Sequence, residues 1–241
     1  MSSHTAEESG AKSSNSASSE KRPLRADWSA YATAYDLLST HNPEYRALMH
    51  DFETFLTTIK APSLVYDIGG GTGNYTEIAA HSLPGSAISL VEPDAAMLRT
   101  AQSKLAAYDN VTFHNIALEG FNPTEPADLI VCVHALYAMP GQAQRLEDLY
   151  RLLSPSGHLY LIDLGRYMNV SDWRSYLFSE LRKEYGLGEA LRIFWQGRQV
   201  SKQNKAILKA QKSGDYWTHT GTELAEEVAK VGFQILRQQS V

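Results

Sequence analysis

The sequence predicts an α/β fold: a doubly wound, mostly parallel sheet with helices before it and a helical cap inserted late in the chain. Three observations lead there. Five short, near-continuous apolar runs (64–68, 87–92, 111–114, 129–133 and 158–164) are separated by segments of helical character, the pattern of parallel strands covered on both faces. The turn after the first run holds four glycines in five positions, Gly69 to Gly73. After the fifth run the alternation stops and helical residues take over.

Residues 1–26, MSSHTAEESGAKSSNSASSEKRPLRA, are rich in serine and have no large apolar run, so they are expected to form a disordered tail. Residues 27–60 follow as N-terminal helices. A short one over 27–38 carries Trp28, Tyr31 and Tyr35. A second starts where Asn42 can cap and Pro43 takes the first helical position, then repeats Tyr45, Leu48, Met49, Phe52, Phe55, Leu56 and Ile59 at helical spacing. Residues 61–168 form the strand-and-helix core, with crossover helices expected over 94–108 and 142–153. Residues 169–215 read as a cap of two or more helices over the ligand-bearing edge, with Leu177 and Leu181 on one apolar face and Leu191 and Phe194 on another. Residues 216–241 supply a helix near 222–230 and a last strand over 233–240.

With 241 residues, 43% hydrophobic and 20% charged, the chain has the composition of a soluble globular protein with a sizeable core. The net charge of −5 disfavours nucleic acid and anionic membrane as general partners. A single cysteine, Cys132, excludes an internal disulfide and a thiolate zinc site, and its apolar strand suggests a small buried side chain. The N-terminus has neither the apolar stretch of a secretory signal nor the acid-poor composition of a transit peptide, so a cytoplasmic location is expected.

Ligands of an open parallel sheet sit beyond the carboxyl ends of its strands, near the point where strand order reverses. Here the first strand ends in Asp67-Ile68 and runs into Gly69-Gly70-Gly71-Thr72-Gly73, with Asn74 opening a helix. A dinucleotide fingerprint, G-x-G-x-x-G, fails in both registers, because its third glycine would be Asn74 or Thr76. A phosphate-binding P-loop fails as well, since no lysine follows the last glycine. Glycines that admit a ligand to the main chain, preceded by an acid, suit a cationic ligand better than a pyrophosphate. Glu92 ends the second run 19 residues after Gly73, where a carboxylate can accept from both hydroxyls of a ribose. Taken alone it would be a solvated strand end. Pro93 then breaks the strand and Asp94 can cap the next helix.

Together, VYDIGGGTG, LVEPDAAML, ADLIVCVHALYAMP and LYRLLSPSGHLYLIDLG resemble the class I methyltransferases that use S-adenosylmethionine, closely over about residues 60–165 and more loosely over 27–59 and 222–241. The resemblance implies a Rossmann-like fold and S-adenosylmethionine as cofactor. It implies that Asp67 and the loop of Gly69, Gly70, Gly71 and Gly73 hold the methionine portion, that Glu92 binds the ribose, and that Pro93 and Met97 lie near the adenine. The family usually has an Asp after the third strand that accepts from the adenine amino group. Here Ile116 stands in its place, which leaves adenine recognition to the main chain of Ala117 and Leu118, or to Asn115 or Glu119. The family also has a seventh strand beyond the sixth, so a chain shortened before that strand is expected.

Methyl transfer from a sulfonium needs alignment and exclusion of water more than proton chemistry. His134 and Tyr137 after the fourth strand, with Asp163 at the end of the fifth, are the candidates for orienting the acceptor or taking its proton. The plainer alternative for His134 is a hydrogen bond to neighbouring main chain or a place in the cofactor pocket. Tyr31 and Tyr35, four residues apart, either close over the cofactor or pack as an aromatic helix face. No histidine pair has metal-ligand spacing, so no metal is expected. In the cap, Arg198, Lys202, Lys205, Lys209 and Lys212 form a basic stripe at helical spacing, either a solvated face or a site for an anionic substrate. Trp173, Tyr176, Phe194, Trp195 and Trp217 line an apolar acceptor pocket or form the cap's own core. The leading expectation is a methyltransferase acting on an anionic or aromatic small molecule, in an oligomeric state left open. The alternatives are a nicotinamide-dependent oxidoreductase and a non-catalytic S-adenosylmethionine-binding protein.

Overall fold

The computed structural model describes residues 24–239, and the expectation for 1–23 lies outside them. Five strands, β1 (Leu64–Ile68), β2 (Ala87–Val91), β3 (Val111–His114), β4 (Ala127–Val133) and β5 (Leu153–Ile162), form one sheet in the order β3-β2-β1-β4-β5. Every pairing is parallel. Strand order reverses between β1 and β4, so the crevice there opens at Ile68 and Val133.

The period-2 alternation of strand side chains divides the core in two. Val65 and Leu129 pack on one face with Phe52 and Leu56 of α2 (Pro43–Thr58) and Ala79 and Ala80 of α3 (Asn74–Ser82). Tyr66, Ile68, Ile130 and Cys132 pack on the other with Leu146 and Leu149 of α5 (Gln142–Arg151). Leu90 joins Leu98, Ala101 and Leu105 of and just beyond α4 (Ala95–Lys104). Full burial of each such Leu or Ile stabilises by roughly 2 kcal/mol.

The capping residues behave as their chemistry requires. Asn42 accepts from the Glu44 amide at the start of α2, and Asp94 accepts from the Ala96 and Met97 amides at the start of α4. Thr220 and Glu223 form a reciprocal capping box on α8 (Gly221–Val231). The cap consists of α6 (Val170–Gln196), interrupted at Gly186, and α7 (Arg198–Ser213). Helix α7 turns Val200, Ile207 and Ala210 inward against α1 (Trp28–His41).

Two expectations are corrected. Residues 233–239 form no strand: Phe233 packs on the Tyr150 ring, Arg237 reaches Asp51 at 2.7 Å and Gln238 donates to the Gly221 carbonyl, while Ile235 and Leu236 are exposed. The segment makes these contacts without pairing with β5, which stays at the sheet edge. Residues 24–26 do not belong to a free tail. The Leu24 amide donates to Asp215, and the amide of buried Ala26 donates to the Tyr216 hydroxyl. Among the described residues no helix is long and apolar enough to cross a membrane.

Candidate functional site

The glycine turn lies at the crevice, and its four glycines are needed for different reasons. A Cβ on Gly69 would come within 2.5 Å of the Ala135 Cβ. On Gly70 it would meet Leu90 and the Asp67 carboxylate, and on Gly73 the Leu105 side chain of the α4 layer. Those three make room for the protein itself. Gly71 differs: its φ is +57°, and a Cβ there would have only the Gly69 carbonyl, 4.0 Å away, within contact range. Of the four, Gly71 alone leaves the main chain open to a ligand.

Two carboxylates flank that opening. Asp67, 3% exposed at the end of β1, accepts from the Thr76 hydroxyl at 2.5 Å. Glu92, 7% exposed just past β2, accepts from the Gly71 amide at 3.0 Å and the Asp94 amide at 2.8 Å. Neither has a cationic side chain in contact among the described residues. Burial pushes Asp67 up to about 6 and Glu92 up to about 7, against the pull of their hydrogen bonds. Two buried, uncompensated carboxylates beside an open main chain form a receptor for a cation with hydroxyl or ammonium donors, so these residues fit an aminoacyl nucleoside sulfonium.

The adenine end is held differently. Asn115 donates to the main-chain carbonyls of Glu92 and Pro93, at 2.9 and 3.0 Å, and so ties the β3 turn to the tip of β2. Glu119 is committed to Arg145 at 2.7 Å. The Leu118 and Met97 side chains are buried and Pro93 is exposed. The Ala117 and Leu118 carbonyls accept from the Gly120 and Phe121 amides within a short 3-10 turn.

Helix α1 bridges this half to the rest. Its Asp36 accepts from the Thr72 hydroxyl at 2.6 Å and pairs with Lys104 at 2.9 Å, and Ser29 donates to Asp94. The Tyr31 hydroxyl donates to Asn204 of α7 instead of pointing free, and burial raises its pKa. The Tyr35 ring meets Tyr31 and Tyr45 edge-on at 5.1 and 6.0 Å. The aromatic helix face expected as the alternative is therefore present, at the mouth of the crevice.

His134, Tyr137 and Asp163 come together at the ends of β4 and β5. His134 has φ of +53°, uncommon for a residue with a Cβ, and its amide donates to the Ile162 carbonyl at 2.7 Å. Its ring lies edge-on to Tyr45, 6.1 Å between centroids, and burial lowers its pKa, which favours the neutral imidazole near pH 7. Tyr137 is buried edge-on to Tyr216. Asp163 uses both oxygens: one accepts from the Tyr137 amide at 3.0 Å, the other from His219 Nε2 at 3.0 Å. His219 is a residue that sequence reasoning passed over, since its partner stands 56 positions away and no local pattern links them.

The cap residues divide likewise. The five cations of α7 are exposed, and none joins an ion pair among the described residues, as a solvated face would have it. Arg198 lies over the Trp195 ring, 4.2 Å from its centre, yet Trp195 is 66% exposed and lines no acceptor pocket. Trp173 and Phe194 meet Leu37 and Leu181 in the seam between cap and α1, Tyr176 donates outward to Glu44, and the Trp217 ring packs against His219 at a tilt. An open groove of about 400 Å³, lined by Arg46, His50, Glu77 and His81, lies along α2 and α3 and shares none of the site residues. No cluster of three or more metal-ligating side chains occurs among the described residues.

Comparison with known proteins agrees with this geometry. Residues 66–159 match the family model described as a methyltransferase domain. The malonyl-[acyl-carrier protein] O-methyltransferase 1 of Ilyobacter polytropus is 26% identical over 165 residues, 68% of this chain and 60% of the relative. The trans-aconitate 2-methyltransferase of Paracidovorax citrulli is 34% identical over 101 residues, 42% of this chain and 38% of the relative. The chain thus spans 60% or less of the length of these curated relatives. Among solved structures, the plantazolicin methyltransferase BpumL in complex with SAH superposes with a TM-score of 0.52 over 84% of this chain and 75% of that one, at 17% identity, a likeness of fold.

Proposed function

We propose, from the methyltransferase-domain match over residues 66–159 and the geometry above, that this chain is a class I S-adenosylmethionine-dependent methyltransferase and moves a methyl group to a small-molecule acceptor by in-line displacement. The observation that carries the reading is the pair Asp67 and Glu92, buried without cations on either side of the open main chain of Gly71. S-adenosylmethionine, when bound, supplies a methyl group on a positively charged sulfur. Asp67 would take its ammonium group and Glu92 its ribose hydroxyls, while the main chain at Ala117 and Leu118, steadied by Asn115, would meet the adenine.

On the acceptor side, we assign His134 and Tyr137 to orientation. The half-buried His134 stays neutral at pH 7 and can accept a proton from the acceptor or hold it by a hydrogen bond. Tyr137, held protonated by burial, is a hydrogen-bond donor and not a base. The Asp163 side chain is shut off from solvent with each oxygen already hydrogen-bonded, so we give it a structural part. Tyr31, Tyr35 and Tyr45 close the crevice against water, which aligns the reactants and raises the energetic weight of each polar contact. Anionic or aromatic acceptors fit this phenol-lined mouth, and two curated relatives are named for carboxylate-bearing substrates. A carboxylate acceptor would need no base. The chain's one cysteine, Cys132, is buried and unpaired, which suits a reducing, cytoplasmic setting.

Calorimetric titration with S-adenosylmethionine and its demethylated product tests the assignment. Micromolar binding that Glu92→Ala weakens about 100-fold is the expected result; unchanged binding in that variant would sink it. A fluorescence change on adding reduced nicotinamide cofactors would favour the oxidoreductase instead. Labelled methyl groups that never leave the cofactor across amines, phenols, thiols and carboxylic acids would favour a binding protein.

A further inference from the structure

We propose that His219 is a positioning residue for the acceptor half of the site, acting in its charged form through Asp163 on Tyr137; this rests on the methyltransferase reading above. His219 enters on the segment between α7 and α8 and is buried, with 3% of its side chain exposed against 0% for Asp163. Its Nε2 meets the Asp163 carboxylate at 3.0 Å and its Nδ1 meets the Thr220 carbonyl at 3.2 Å. Both partners are acceptors, so both ring nitrogens must carry hydrogen for both bonds to exist. A neutral imidazole can satisfy only one. The geometry therefore calls for an imidazolium, and the pair with Asp163 is a buried ion pair.

The pair is built into the backbone around it. The His219 amide donates to the Gly165 carbonyl at 2.7 Å, and a Cβ on Gly165 would clash with the main chain and ring of His219. The Trp217 ring covers the imidazole at 4.2 Å, and the Trp217 amide donates to the Tyr137 carbonyl at 2.9 Å. Tyr137 is thus held at its amide by Asp163 and at its carbonyl by Trp217, the one hydrogen-bonded to His219 and the other packed against its ring. Its ring is fixed edge-on to Tyr216.

The charged and titratable groups facing His219 are Asp163 from the end of β5 and Glu223 from the first turn of α8. Those facing Asp163 from the other side are His134, Cys132 and Tyr137. Burial pulls the imidazolium down, but the Asp163 hydrogen bond, the Thr220 carbonyl and both carboxylates outweigh it and leave the group above its ordinary range. A raised histidine contributes its full stability below about pH 6.5 and loses it as pH rises through the folded value. The proton then goes to solvent, one of the two acceptors is stripped of its donor, and the hold on Tyr137 slackens.

Hydrogen exchange of the Tyr137 amide in the full chain, expressed as a protection factor over pH 6 to 9, tests this alongside the affinity for S-adenosylhomocysteine. In the unmodified protein, protection at Tyr137 falls about tenfold more across that range than at Ile130 in the sheet core, while cofactor-product affinity stays within about twofold. In His219→Gln, which can donate to only one of the two acceptors and carries no charge, protection at Tyr137 is low at pH 6 and flat with pH. A flat profile in the unmodified protein overturns the proposal without any variant having to fold. So does a variant that behaves like the parent, or one in which Ile130 loses protection equally. Failure of the parent to bind S-adenosylhomocysteine would instead overturn the methyltransferase reading and leave the Tyr137 profile to be judged by itself.

Discussion

The two halves of the crevice use buried carboxylates in opposite ways. At the ends of β1 and β2, Asp67 and Glu92 are buried with hydroxyl and amide partners only, and burial lifts both well above the usual carboxylate range. At the end of β5, the Asp163 side chain is also shut off from solvent but faces His219 and a main-chain amide. A carboxylate that keeps its cation is a fixture of the structure. One that lacks it has an unmet preference for positive charge, which is a binding function held ready in the folded protein.

The largest expected effect follows from breaking the satisfied half. Asp163→Ala leaves a buried imidazolium and the Tyr137 amide without a partner, and should destabilise by about 3–5 kcal/mol. Chemical denaturation at pH 6 measures it, and a loss under about 1 kcal/mol would show that the pair is not held as an ion pair.

Breaking the unsatisfied half should go the other way. Because the folded values of Asp67 and Glu92 lie above their unfolded ones, their contribution to stability is present below about pH 4 and lost as pH rises through about 6 and 7. The ligand-free protein is therefore expected to lose stability between pH 4 and 7 on their account. Asp67→Asn removes one of the two groups and should stabilise the ligand-free protein at pH 7 on the order of 2 kcal/mol, with binding of S-adenosylmethionine at least tenfold weaker. Thermal unfolding with and without ligand reads both numbers. If the variant is less stable than its parent at pH 7, the contrast between the halves is wrong.

The smallest expected effect concerns the bridge between them. Tyr31→Phe removes the hydroxyl that reaches Asn204 and leaves a buried amide oxygen unmet, a cost of about 1 kcal/mol. Product affinity measured on the same sample sharpens the comparison. A change there beyond about threefold would move Tyr31 from closing the crevice to contacting the cofactor.

What could be read from the sequence was what repeats locally. Apolar runs with period 2 and helical faces with period 3.6 located all five strands and the helices between them, and Asn42-Pro43 and Asp94 located two helix starts to the residue. Edges were less legible: β4 begins at Ala127 and β5 at Leu153, earlier than their apolar runs, because Ala127 pairs with Leu153 across an irregularity before the regular register resumes at Leu129 and His158. The run 233–239 has strand composition, yet it pairs with no strand and makes its contacts through Arg237 with Asp51 and Gln238 with Gly221, which no local pattern contains. In the site, Asp67 and Glu92 were legible because a strand end followed by glycines fixes where they must stand. The glycines themselves were read too uniformly, since only distant neighbours such as Ala135 and Leu105 reveal that three of the four serve packing. His219 was invisible for the same reason.

The ties that hold α1 also set when the site can exist. Leu24, Ala26, Asp27 and Tyr31 bond to Asp215, Tyr216, Gln203 and Asn204, partners 173 to 191 positions away. Closing a loop of that length delays such contacts relative to local ones, so in a chain made from its N-terminus α1 first has only its nearer partners, Tyr45, Thr72, Asp94 and Lys104, and gains the rest once α7 and the segment after it have been synthesised. The sheet and its glycine turn can therefore assemble early on the ribosome, while the wall that excludes water from the crevice arrives last. On the proposed reading, the crevice would be closed against water only after residues 203–216, which hold α1 in place, have been made.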